Sequence, residues 1–236
     1  MKKVKTIFRQ FPLLFASRLV LVKVFNKLFG IDAKEYYAQT GEDIIIKFFL
    51  ENERGLFVDV GCNDPINYSN TFELYKKGWT GLNIDANPEL IKKYSVRPND
   101  ISVCEAVSDE TKEMLFHEFE QSEVSTLETT VLDEAKKKWN YKKSRKVITK
   151  TLTEILDEHS IPNAIDFLSV DVEGYDFQVL NSLDFTKYQP KLILIEMHQF
   201  NVADYHANKI VQFLIAKGYE LVGFVTMNGY FKLKTN

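Results

Sequence analysis

From residue 35 onward, short apolar runs alternate with longer amphipathic segments, the pattern of βαβ units around a parallel sheet. "EDIIIKFFLENERG" predicts a helix ending at Gly55, and "LFVDV" a buried strand. "NTFELYKKG" predicts a helix closed by Gly78, followed by the strand "TGLNIDA". "PELIKKY" opens with proline at a favoured first helical position. "ISVCEAV" reads as a third strand. Residues 113–150 are less regular, with an extra strand "EMLFHEF" and a charged helix near "LDEAKKKW". Regularity returns with the helix "TLTEILDEHS", the strand "IDFLSV", the helix "YDFQVLNSL" and the strand "PKLILIE". "DYHANKIVQFLIAKG" predicts a helix ended by Gly218, and "YELVGFV" and "GYFKL" form an antiparallel pair across "TMNG". Five parallel strands and a hairpin make a seven-stranded α/β sheet between helical layers.

The first 30 residues follow a different pattern. They hold seven basic residues and no acidic one, which leaves 23 basic against 33 acidic on the rest of the 236-residue chain. At helical period Phe8, Phe11, Phe15, Leu19, Val22, Phe25 and Phe29 share a stripe. Arg18 and Lys23 interrupt the run of about 20 apolar residues that a spanning helix needs. The segment suits either a helix packed on the domain or an in-plane helix drawn to anionic lipid. We expect residues 1–34 as a basic amphipathic helical segment, residues 35–236 as the main domain, and peripheral membrane contact through residues 1–30. Two cysteines, Cys62 and Cys104, make neither a disulfide framework nor a zinc site and fit a reducing cytoplasm, at the inner face of the membrane if the helix binds there. A formal net charge of −3 gives no footprint for nucleic acid.

In sheets of this class, ligands sit beyond the carboxyl ends of the strands. The residues there are Asp59-Val60-Gly61-Cys62-Asn63, Asp85-Ala86-Asn87, Ala106-Val107-Ser108-Asp109, Asp171-Val172-Glu173-Gly174 and Glu196-Met197-His198. Each group carries a carboxylate. Gly61 lets backbone approach a ligand closely. The dinucleotide fingerprint needs further glycines, yet Asn63 stands at the second position and none follows before Gly78. Acidic residues at 59 and 64 would repel a diphosphate. Asp85 is placed to accept hydrogen bonds from ribose hydroxyls. A ligand with a ribose and a cation but no phosphate fits, and S-adenosylmethionine is such a ligand.

The stretches "YAQTGEDIII", "FVDVGCNDPINYSNT", "GWTGLNIDANPEL", "AVSD", "TLTEIL", "IDFLSVDVEGYDFQVLNSLDF" and "PKLILIE", from about Tyr36 to His198, together resemble the FkbM family of S-adenosylmethionine-dependent methyltransferases. The resemblance implies a Rossmann-like class I fold with a seven-stranded, mostly parallel sheet in three α/β/α layers, ordered 3-2-1-4-5-7-6. It implies O-methylation of a hydroxyl, often on a sugar or a polyketide. Carried over by position, Gly61 would pack under the cofactor and Asp59 would sit near its amino acid end. Asp85 would bind the ribose, Val107 and Ser108 would border the adenine, and Asn63 would contribute nearby. The family usually has glycine where Pro65 stands, which puts the path of that loop in question. The implied order separates Cys62 from Cys104 by a strand, so both should be free thiols.

Methyl transfer to oxygen needs a positioned hydroxyl and a base. His198, Glu173 and Asp171 are the candidates for catalysis, with Glu196 beside them. Glu173 could equally cap the following helix. The same side chains could hold Mg²⁺, although that is not the favoured reading. Tyr68, Trp79, Trp139, Tyr141 and Tyr175 are candidate sugar platforms. Two other readings stay open: a Rossmann-like binding or scaffold protein without turnover, and a nicotinamide-dependent reductase, which the missing glycines disfavour.

Overall fold

The computed structural model describes residues 2–31, 35–50, 53–130 and 132–234. The expected boundary between residues 34 and 35, and residues 51–52 of the first expected helix, touch segments outside the described residues. The chain opens with helices α1 (Lys2–Gln10), α2 (Leu13–Leu28) and α3 (Glu42–Phe49), and strand β1 (Leu56–Val60) follows. Next come α4 (Phe72–Lys76), β2 (Thr80–Asp85), α5 (Pro88–Lys93), β3 (Ile101–Cys104), β4 (Ala106–Val107) and β5 (Glu113–Phe119). Then follow α6 (Leu132–Lys138), β6 (Tyr141–Lys150), α7 (Leu152–Glu158), β7 (Phe167–Val170), α8 (Asp176–Asn181) and β8 (Leu192–Glu196). The chain closes with α9 (Lys209–Ala216), β9 (Tyr219–Val225) and β10 (Asn228–Leu233).

The main sheet has seven strands in the order β3-β2-β1-β7-β8-β10-β9. Counted along that sheet, this is the expected 3-2-1-4-5-7-6 order. All neighbours are parallel except β10, which runs antiparallel to β8 and β9. Strand residues alternate between two cores because successive side chains point to opposite faces. Val58, Val60, Leu82, Ile84, Leu168 and Val170 face α7, α8 and α9. Phe57, Phe167, Leu192, Leu194 and Tyr230 face α1, α2 and α3, with Phe72 and Tyr75 of α4. The result is three layers.

Four elements differ from the sequence reading. The first expected helix stops at Phe49, where Leu50 is already extended. "ISVCEAV" divides at Glu105: its first half joins β2, and Ala106–Val107 leaves to pair with β6. Val202–Ala207 is a 3₁₀ segment, and α9 starts afresh at Lys209 because the Asn208 side chain accepts from the Ile210 and Val211 amides. β6 was not anticipated. It forms a second sheet, β4-β6-β5, that stands over one end of the main one.

The aromatic stripe of the N-terminal segment is also divided. Pro12 ends α1, since it has no amide proton to continue the ladder. Ile7, Phe11 and Ala16 are buried, whereas Phe25 and Phe29 are exposed. The Gln10 amide bolts α1 down by donating to the carbonyls of Tyr75 and Trp79, 3.0 Å each. Trp79 is a core residue rather than a platform. Both cysteines are free thiols.

Candidate functional site

β1 lies at the switch point, with β2 on one side and β7 on the other. Val60 is in register with Ile84 and with Val170. The next residues, Gly61, Asp85 and Asp171, therefore leave the three strands at one level. Gly61 has φ +78°, and a Cβ there would lie 1.8 Å from the Asp171 carbonyl oxygen. Glycine is required by both the turn and the approach.

The loop after Gly61 shows how Pro65 is accommodated. Asp64 accepts from the amides of Ile66 and Asn67 at 3.0 Å, so the turn is closed one residue before the proline and needs no proton from it. The Pro65 carbonyl accepts from Arg97, whose guanidinium is buried and also reaches Ser69 Oγ at 2.8 Å and Thr71 Oγ1 at 3.0 Å. A buried arginine behind the loop holds its path.

A cleft of about 930 Å³, counting the space open to solvent at its mouth, lies here. Asp59, Gly61, Asn63, Asp85, Val107, Asp171 and Glu173 all line it. Ser108 does not. It is fully buried one layer behind, its hydroxyl against Asp109 and Tyr175. Asp85 accepts from the amides of Asn63 (3.0 Å) and Asn87 (2.7 Å), which fix its carboxylate. Burial pushes the Asp85 carboxyl up to about 6, against the pull of those two amides. Asp59 accepts from Thr71 Oγ1 at 2.8 Å, and burial raises its carboxyl too. The cleft wall carries Asp59, Asp85, Glu105, Asp171 and Glu173, and among the described residues lining it there is no lysine, arginine or histidine.

The remaining wall comes from residues that the sequence did not single out. Ala106, Phe116 and Leu127 form a small apolar cluster with Tyr175. Ser122, Ser125 and Thr126 complete the rim below β5. Tyr68 and Tyr175 line this cleft, whereas Tyr141 packs on Phe119 instead. An alternation was readable in β6, where Arg145, Val147 and Thr149 point inward. The run of lysines around them hid it.

A second cleft adjoins the first, sharing Thr126 and Glu173. His198, Glu196, Asp176 and Trp139 line it. His198 Nε2 lies 2.9 Å from Glu196 Oε2, and that hydrogen bond raises the imidazole to about 9. Asp171 is pushed well up by burial and by the charges of Glu196 and Glu173. Asp176 accepts from the Val172 and Gly174 amides, 3.0 Å each, and so closes the turn where Glu173 was considered as a cap. Glu173 itself stands at φ +55° on the ridge between the clefts. Single ligand atoms of Glu173, Glu196 and His198 lie within 4.8 Å of one another, as do those of Asp171, Asp176 and Glu196.

The family model described as Methyltransferase FkbM domain matches residues 59–221, over half of the chain. The chain belongs to the FkbM methyltransferase family. The match starts at Asp59 within β1 and ends in β9, so it takes in both clefts and the second sheet. None of the curated proteins matches the chain. The fold is the Rossmann-like one expected of an FkbM methyltransferase, and the cleft at its switch point lies where such sheets bind ligands.

Proposed function

We propose that this FkbM domain transfers a methyl group from S-adenosylmethionine to a hydroxyl of a sugar or surface glycan. The observation that carries the cofactor half is the first cleft, with five carboxylates and no basic residue among those lining it. That field repels a diphosphate and attracts an ammonium and a sulfonium. Asp85, its lone pairs oriented by two amides, is the ribose acceptor. Gly61 admits the cofactor to the strand edge, with Asp59 and Asn63 toward its amino acid end. Val107, with Ala106, Phe116 and Leu127, forms the apolar seat for the adenine. Ser108 supports that seat from behind. Bound S-adenosylmethionine supplies an electrophilic methyl group on a sulfonium.

The chain's own task is to hold the acceptor hydroxyl in line and take its proton. The second cleft supplies the means. His198 is the base, Glu196 orients its ring, and Glu173 and Asp171 sit at the junction between acceptor and cofactor. Trp139, on the wall of the second cleft and 41% exposed, offers an aromatic face to a sugar ring. His198 stands 2.9 Å from Glu196 Oε2, and the reading does not call on Mg²⁺.

Calorimetric titration of S-adenosylmethionine and of NAD into the purified protein tests this. Micromolar binding of the first alone, lost in Asp85→Ala, supports the reading and justifies an acceptor screen over nucleotide sugars and glycans. Binding of neither by a folded protein returns the scaffold reading.

A further inference from the structure

α2 carries apolar residues on two opposite faces. Phe15, Ala16, Leu19 and Val20 pack against the core beneath it. The other face presents Leu14 (82% exposed), Leu21 (66%), Phe25 (54%) and Leu28 (76%) to solvent. A helix that is apolar all round is normally buried, and contiguous exposed apolar surface marks an interface. A cleft between the end of α2 and α3 is lined by Lys27, Ile31, Ile44 and Phe48, the last 80% exposed. Of the acids in that cleft, Glu35 and Glu73 share Lys76, and Asp43 accepts from the Tyr37 amide.

Charge identifies the occupant. Residues 1–30 carry seven basic side chains and no acidic one. Arg18 and Lys27 of α2 are exposed. A second copy meeting this face through a two-fold axis would set one α2, with Arg18, Lys23 and Lys27 and no acidic residue, against another. An anionic bilayer instead accepts the apolar ridge among its acyl chains and the basic flanks among its headgroups. The rest of the chain is net acidic, with 23 basic against 33 acidic residues. α2 has 16 residues, and no helix among the described residues is long and apolar enough to cross a membrane.

We propose that the exposed face of α2, with Ile44 and Phe48 of α3, seats the domain on an anionic lipid bilayer, α2 lying in the plane of the interface. The inference does not depend on the methyl-transfer reading.

The test is co-sedimentation of the full chain with phosphatidylcholine vesicles, with and without phosphatidylglycerol, read beside thermal melting. Binding is expected only with phosphatidylglycerol and should weaken as salt rises. Leu21→Glu with Leu28→Glu should abolish it while the melting temperature holds, because both side chains are exposed. Arg18→Glu with Lys27→Glu should weaken it by more than about tenfold, from roughly fivefold for each basic residue at an anionic surface. No binding to either vesicle by the folded chain overturns the proposal. So does a concentration-dependent oligomer that the Leu21→Glu, Leu28→Glu variant dissolves, which would make the face a protein interface.

Discussion

The two clefts sit side by side, yet they hold their charges by different means. In the first, Asp85 is clamped by the Asn63 and Asn87 amides, and the Asp171 amide is bonded to the Val60 carbonyl at 3.0 Å. These positions follow from strand register and cannot drift without breaking the sheet. In the second, His198 and Glu196 hold each other, on a segment where Gln199 stands at φ +56°. Backbone-clamped charges make a rigid seat, whereas mutually paired side chains can exchange a proton and move with a substrate. The first cleft should therefore govern affinity and the second turnover.

Gly61→Ala should break the comparison most completely. The added methyl meets the Asp171 carbonyl at 1.8 Å in a backbone conformation that L residues avoid. We expect loss of S-adenosylmethionine binding and a stability loss of about 3 kcal/mol, measured by calorimetry and urea unfolding. His198→Ala should lower turnover by about 10²- to 10⁴-fold, with cofactor affinity unchanged. Glu173→Ala should act the same way. A matching loss of affinity in either variant would show that the two clefts are not separable. Asp85→Ala should weaken S-adenosylmethionine on the order of 100-fold, for a charged acceptor of two hydroxyl donors, at nearly unchanged melting temperature.

Two pH profiles sharpen the contrast. With the Asp85 carboxyl near 6, S-adenosylmethionine affinity should climb roughly tenfold between pH 5 and pH 7 as the carboxylate forms. For the empty protein the sign reverses. A carboxyl raised on folding binds its proton more tightly in the native state, so this group's contribution to stability falls as pH rises from about 4 to about 6. His198, held near 9, should make turnover climb with pH toward that value. Its pairing with Glu196 stabilises the fold fully below the ordinary histidine range, and that contribution is lost as pH rises through about 9. The smallest effect is the last: turnover should survive a chelator.

Much of the first cleft was legible because strand-end chemistry is local. "LFVDVG", "TGLNIDA" and "LSVDVEG" each show a buried run followed by its acid, and period-two patterning carries those acids to one edge. The second sheet was hidden. In "YKKSRKVITK" only Arg145, Val147 and Thr149 alternate inward, and the exposed Ile148 between them breaks the apolar-in, polar-out pattern. Arg97 was hidden as well, since an arginine reads as surface until Pro65, Ser69 and Thr71 close around it. Asp176 looked like an ordinary first-turn acid, yet its carboxylate closes the turn under Glu173.

By itself, the sequence determined the order along the chain of the seven main-sheet strands, the acids at the strand ends, the absence of phosphate glycines and the basic, apolar character of the first 30 residues. All of these follow from periodicity and side-chain chemistry along the chain. Tertiary structure decided which apolar face of α2 is covered, which amides orient Asp85, and that His198 pairs with Glu196. It also set Ser108 behind the wall rather than on it. A pattern states what a residue prefers as a neighbour, but only the folded chain, bringing together groups up to 186 residues apart, supplies that neighbour.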